Sequence, residues 1–138
     1  MKKTLLFLVS LSILFTLSAA TKKKSLNNKT VKIGIAKIVQ HPALDSVEQG
    51  IIDAIETAGI KAKFDLQNAN GDINTANQIA TQFKDTKVDV AVGIATPIAI
   101  ALANTLKNTP VVFGTVTDPL GAGLVTSLEH GEGNVTGM

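Results

Sequence analysis

VDVAVGIATPIAIALANTLKNTPVVFGTV, residues Val88 to Val116, reads as strand, helix and strand joined by connections of only a few residues. Val88 to Ile94 is apolar and β-branched, as a buried strand requires. Ala95-Thr96-Pro97 then changes the period. Thr96 suits an N-cap, and Pro97 suits the first helical position, where its fixed φ fits and its missing N–H is not needed. The helix that follows, IAIALANTL, is apolar almost all round, which predicts burial on more than one side. Pro110 to Val116 is a further strand, closed by Thr117-Asp118-Pro119.

The same alternation extends upstream. Val31 to Ile38 (VKIGIAKI) reads as a buried strand, and Lys61 to Leu66 alternates as another. Between them, Pro42 suits a first helical turn, and Leu44, Val47, Ile51, Ala54, Ile55 and Ala58 recur at helical spacing until Gly59. Asn70-Gly71-Asp72 makes a turn, with Asp72 an N-cap for a helix carrying Ile73, Ala76, Ala80 and Phe83 on one face. Strand and helix thus alternate three times. Such units close right-handed onto a parallel sheet, so the expected class is α/β, a Rossmann-like sheet with helices on both faces. Ligands of these sheets bind outside the carboxyl ends of the strands, where strand order reverses. Four loops therefore matter: Lys37 to His41, Gln67 to Asp72, Ala95 to Pro97, and Thr115 to Pro119.

The ends of the 138-residue chain have a different character. Lys2 and Lys3, the apolar run Leu5 to Leu17, and Ser18-Ala19-Ala20 match the charged, apolar and cleavage segments of a secretory signal peptide. The alternative is a retained anchor, but the run is shorter than the roughly 20 residues of a spanning helix. The run resembles a lipoprotein signal with Thr21 in place of the lipid-bearing cysteine. The expected organisation is a cleaved signal over residues 1–20, a polar leader over 21–30 and one folded unit over 31–138, in a soluble protein exported to the periplasm or another extracytoplasmic space.

All thirteen basic residues are lysines, and six of them precede Val31. The folded unit holds seven lysines against all eleven acids, a balance of −4. Nucleic acids and anionic membranes both require cations gathered on a folded surface, so neither partner is expected from these counts. With no cysteine there is no disulfide, thiolate metal site or thiol nucleophile, and five Phe without Trp or Tyr offer no stacking platform for bases.

No catalytic constellation assembles from the four loops, and no metal or cofactor is expected. A Gly-x-Ser-x-Gly elbow and a His-Glu-x-x-His pair are both missing. Gly121-Ala122-Gly123 lacks the third glycine of a phosphate loop, and the Leu66 to Asn77 window fails the ligand pattern of a calcium loop. His130 lies in a glycine-rich tail and reads as a solvated loop residue, whereas His41 either starts the helix at Pro42 or lines a site. What remains is binding chemistry. Thr96 brings a hydroxyl and the free N–H groups of a helix start, which suit a carboxylate or another anion, although plain capping needs the same residues. Asp118 offers a partner for an ammonium group, or simply opens a turn before Pro119. Together they fit a zwitterion.

At these residues the sequence resembles the tryptophan/tyrosine-type substrate-binding proteins of ABC transporters. The likeness rests on His41-Pro42-Ala43-Leu44-Asp45, Ala69-Asn70-Gly71-Asp72, Ala95-Thr96-Pro97, Val116 to Val125 (VTDPLGAGLV) and Gly133-Asn134-Val135-Thr136-Gly137, five motifs in order across the whole folded unit. It implies the N-terminal lobe of a type I periplasmic-binding-protein-like fold, an extracytoplasmic and monomeric receptor that clamps an amino acid, aromatic ones included, and delivers it to an ABC permease in the inner membrane. A sensory domain of the same fold, signalling to a partner protein, is the alternative. By this resemblance Ala95 and Thr96, with Thr117 and Asp118, form one wall of the cleft, and Lys37 and His41 stand beside them. Lys37 occupies a position where relatives often carry an uncharged polar residue. Two lobes need about 300 residues, so the chain is expected to supply one lobe of two, with a loosely held tail beyond Gly121.

Overall fold

A computed structural model describes residues 29–138, so the expected signal peptide and the part of the expected leader before Lys29 lie outside the described residues. The alternation becomes β1 (Val31–Lys37), α1 (Pro42–Thr57), β2 (Ala62–Asn68), α2 (Ile73–Asp85), β3 (Val90–Ile94), α3 (Thr96–Thr105), β4 (Val111–Gly114) and β5 (Val135–Gly137). The five strands form one parallel sheet in the order β2-β1-β3-β4-β5.

Side chains of successive strand residues point to opposite faces, and two cores result. Ile33, Ile35, Val92 and Ile94 pack under α1, against Leu44, Val47, Ile51 and Ile55. On the other face, Ala36, Ala91, Val111 and Phe113 meet Ile79 and Phe83 of α2 and Ile98 and Leu102 of α3. Two glycines let helices approach the second face closely. A Cβ on Gly34 would stand 2.7 Å from the ring of Phe83, and one on Gly93 would stand 2.9 Å from the Cα of Ala99.

Asp72 caps α2 as its position foretells, its Oδ1 accepting the Thr75 N–H at 2.6 Å. This bond holds the carboxyl below its ordinary value, because the N–H donors favour the charged form. A lowered value means a contribution present above the unfolded value of 3.8 and lost as pH falls through the folded one. Asp72→Ala is therefore expected to lower the melting temperature at pH 7, with a smaller gap from the parent near pH 2.5; equal gaps at both pH values contradict this.

The structure departs from the sequence reading in three places. Thr96 does not cap α3: Ala95 is the N-cap, and Thr96 and Pro97 are the first two helical residues. The cap at Ala95 has no side chain able to accept a hydrogen bond, and its backbone takes φ 83° and ψ 155°. The fourth strand stops at Gly114, because Thr115 turns to φ 55°. The tail beyond Gly121 is not loose; it returns to add β5, a strand three residues long and too glycine-rich to show a period. Asn134 fastens it, its amide donating to the carbonyls of Leu106 at 2.5 Å and Thr109 at 2.6 Å.

Candidate functional site

Strand order reverses at β1, since α1 leads outward to β2 while α2 carries the chain back across to β3. A crevice outside the carboxyl ends of β1 and β3 follows from that reversal. Lys37 and Ile94 are register partners there, so the loop ending at His41 and the start of α3 face each other across it. The next wall is tied in by the Ala95 N–H, which donates to the Gly114 carbonyl at 3.0 Å and sets Ala95-Thr96 beside the Thr115 to Asp118 loop.

Backbone strain gathers at this edge. Ala95 occupies a region of φ and ψ that is almost reserved for glycine, and Thr115 is β-branched in the left-handed region. Each costs about 1–3 kcal/mol and persists only where its surroundings enforce it. The strain was invisible in the sequence, which places alanine and threonine where glycine is the relaxed choice. Its local effect is to open α3 without a side-chain cap. Pro97 has no N–H, and the Ala99 N–H turns back to the Ala95 carbonyl at 3.1 Å. Thr96, half-buried, stands on this positive end of the helix dipole.

Asp118 is exposed and held. Its Oδ1 accepts the Gly121 N–H at 2.8 Å, and its carbonyl accepts the Ala122 N–H at 2.9 Å. A Cβ on Gly121 would collide with the other carboxylate oxygen, which explains a glycine in this turn. The turn-opening and ligand-facing readings of Asp118 are thus compatible: one oxygen serves the turn. Thr117 is exposed beside it.

The two remaining candidates have structural work. His41 caps α1, its Nδ1 accepting the Ala43 N–H at 3.2 Å. Lys37 points under α1, where its Nζ lies 2.6 Å from Asp45 and 2.9 Å from Glu48 with only 12% of the side chain exposed. The Asp45 hydrogen bond raises the ammonium above its ordinary value against the opposing cost of burial, and Glu48 adds to the rise. Glu48 Oε2 is buried without a partner, so this cluster of one cation and two anions is both negative and incompletely satisfied. Sequence reading missed Asp45 and Glu48; an i, i+3 acid pair in the helix following a strand-terminal lysine is the signal that marks them. Beside them lies a cavity of about 250 Å³, lined by Lys37, Gln40, Glu48, Leu66, Gln67 and Asn68.

His130 stays apart, lining a separate hollow of about 180 Å³ under the tail with Phe113, Val125 and Met138. Among the described residues no group of three His, Cys, Asp or Glu is placed to hold a metal ion, and no helix is long and apolar enough to cross a membrane.

Residues 32–138 match the family model described as ABC transporter substrate binding protein. A tyrosine-binding protein of Clostridioides difficile (strain R20291) is 44% identical over an alignment of 119 residues that covers 83% of this chain and 34% of that protein. Among solved structures, a conserved domain protein from Vibrio cholerae O1 biovar El Tor is 47% identical with a TM-score of 0.77, covering 79% of this chain and 38% of that one. An ABC domain from Streptococcus pneumoniae, in complex with L-Trp, is 39% identical with a TM-score of 0.76 over 80% of this chain and 38% of its own. The chain thus spans little more than a third of the length of these relatives. They are binding proteins where their function is named, and the structural neighbours share the α/β fold expected from the sequence.

Proposed function

Because the chain belongs to the ABC transporter substrate-binding protein family, we propose that it forms the first lobe of an extracytoplasmic receptor that binds an amino acid for an ABC importer. The observation that carries the reading is the juxtaposition at the β3 and β4 ends: an uncapped helix start and a fixed carboxylate on neighbouring strands. The positive end of α3, with the Thr96 hydroxyl, suits the ligand carboxylate, and Asp118 with Thr117 suits its ammonium. Ala95 gives the backbone its approach. Lys37 and His41 form the adjoining wall, and Val39, Ile73 and Leu120, exposed around this edge, offer apolar contact for an aromatic or other hydrophobic side chain.

One lobe holds half a cleft, and hinge closure on a second lobe completes it in this reading. The protein acts as a monomer, is exported by its cleaved signal, works without catalysis and hands its ligand to a permease in the inner membrane. Both named relatives bind an aromatic amino acid, a tyrosine-binding protein and a domain holding L-Trp, which supports the same ligand class for this chain.

The test is ligand-dependent stability. L-Trp or L-Tyr at one hundred times its dissociation constant is expected to stabilise the binding-competent protein by about 2.7 kcal/mol, read as a rise in melting temperature. Thr96→Val combined with Asp118→Ala is expected to remove that rise while leaving the ligand-free melting temperature within a few degrees. No shift with any of the twenty amino acids overturns the reading, and NMR titration of the lobe alone detects weaker contact at the same residues.

A further inference from the structure

We infer that the amino-terminal edge of the sheet, opposite the cleft, is a docking surface for an anionic lipid bilayer. In a parallel sheet every strand starts at one edge, and the right-handed crossovers bring every helix end to that same edge. Seven of the eight lysines in residues 29–138 lie there. Lys29, Lys32, Lys61 and Lys63 flank the starts of β1 and β2, Lys84 and Lys87 flank the end of α2, and Lys107 follows α3. All seven are exposed. The hydrogen bonds confirm the neighbourhood: the Val31 N–H donates to the Lys61 carbonyl at 2.8 Å, and Asp89 takes the Lys32 N–H at 2.8 Å and the Lys29 ammonium at 3.3 Å.

Five acids share this edge, Asp53 and Glu56 near the end of α1, Asp85 at the end of α2, Asp89 before β3, and Glu132 beside the start of β5, so its balance is +2. At the cleft edge the signs invert. Lys37 stands there alone against Asp45, Glu48, Asp72 and Asp118, a balance of −3. The molecule is a dipole whose positive end lies away from the cleft. The net charge of the folded unit gives no warrant for an anionic membrane partner, but a sum does not reveal that the two signs occupy opposite ends.

The chain also enters the fold at this edge, at Lys29, with Lys22, Lys23 and Lys24 a few positions upstream in the sequence. Strand starts and helix ends make a broad cationic margin with no helix or ribbon laid side-on for a nucleic-acid groove. A lipid surface asks only for such a margin. Docked this way, the cleft faces away from the lipid, where a ligand has access. The inference does not depend on which ligand the cleft takes.

Sedimentation of the full chain with vesicles tests it. Phosphatidylcholine vesicles report any insertion of the apolar run, and vesicles with added phosphatidylglycerol report the charge-dependent part. Each lysine near such a surface contributes about a fivefold factor, so Lys32→Gln with Lys63→Gln and Lys84→Gln is expected to weaken the phosphatidylglycerol-dependent binding about a hundredfold. Raising salt from about 0.05 M to 0.5 M shortens the screening length and is expected to abolish it in the parent. Lys87→Gln with Lys107→Gln is a second variant on the same edge, expected to lose about 25-fold, and a circular-dichroism melt shows that both variants stay folded. Undiminished binding by the folded variants overturns the inference, as does equal binding to both vesicle types. Tighter binding of the parent to duplex DNA than to phosphatidylglycerol vesicles at the same salt also overturns it. None of these outcomes touches the ligand shift, which is measured without lipid.

Discussion

Gly93→Val is expected to destabilise the fold by more than about 3 kcal/mol, a large part of the roughly 5–15 kcal/mol that holds a domain together. Gly93 lies in β3 directly beneath α3. Its missing Cβ would stand 2.9 Å from the Cα and 3.1 Å from the backbone nitrogen of Ala99, and 3.0 Å from Leu102. Backbone cannot rotate out of the way, so the helix must lift from the sheet and take Ile98 and Leu102, both fully buried, with it. Gly34 provides the comparison. There the obstacle is the Phe83 ring, at 2.7–2.8 Å, which is a side chain. Gly34→Ala is therefore expected to be partly rescued by Phe83→Leu, whereas Gly93→Ala is not rescued by Leu102→Ala, because Ala99 remains. Urea titration of the four variants measures this, and rescue at both positions contradicts the backbone argument.

Lys37→Met is expected to cost about 3 kcal/mol, because it leaves two carboxylates without their cation in a largely buried place. The figure is at the lower end for such a loss, since Asp45 keeps 37% of its side chain exposed and can recover water, whereas Glu48 keeps 14%. Removing the stranded charge restores most of the loss, so Lys37→Met with Glu48→Leu is expected to be close to the parent in stability. The pH dependence has a definite sign. The ammonium is raised above 10.5 in the folded protein, so its contribution is whole below pH 10.5 and disappears as pH rises through the folded value. The gap between parent and Lys37→Met is thus expected to hold from pH 6 to pH 10 and to narrow above that. A gap that closes by pH 9 contradicts the assignment.

The Lys37 cluster also bears on ligand recognition. Lys37, which the resemblance places beside the cleft, receives two acids from α1 within the fold itself. What this edge presents outward is negative. In the proposed function the anion site is the backbone at α3, and that reading predicts a preference for an amino acid with a neutral or basic side chain over one with a second carboxylate.

Sequence alone determined the elements and their class. The switch from β-branched runs to 3.6-residue spacing located β1 to β4, α1 and α2, the Thr96-Pro97 start and the apolar run after it located α3, and the Asp72 cap and the Pro42 helix start were legible because each acts within a few residues. Periodicity and capping are local, so a linear reading captures them. Tertiary structure decided what depends on distant neighbours. It moved the α3 cap to a strained Ala95 because β4 holds that backbone at Gly114. It added β5, whose three residues gain stability only from pairing with β4 and from the Asn134 clamp. It spent Lys37 on α1 and sent every other described lysine to the opposite edge. Charge location is set by the parallel register, which brings residues far apart in sequence to one margin, and no local pattern carries that information.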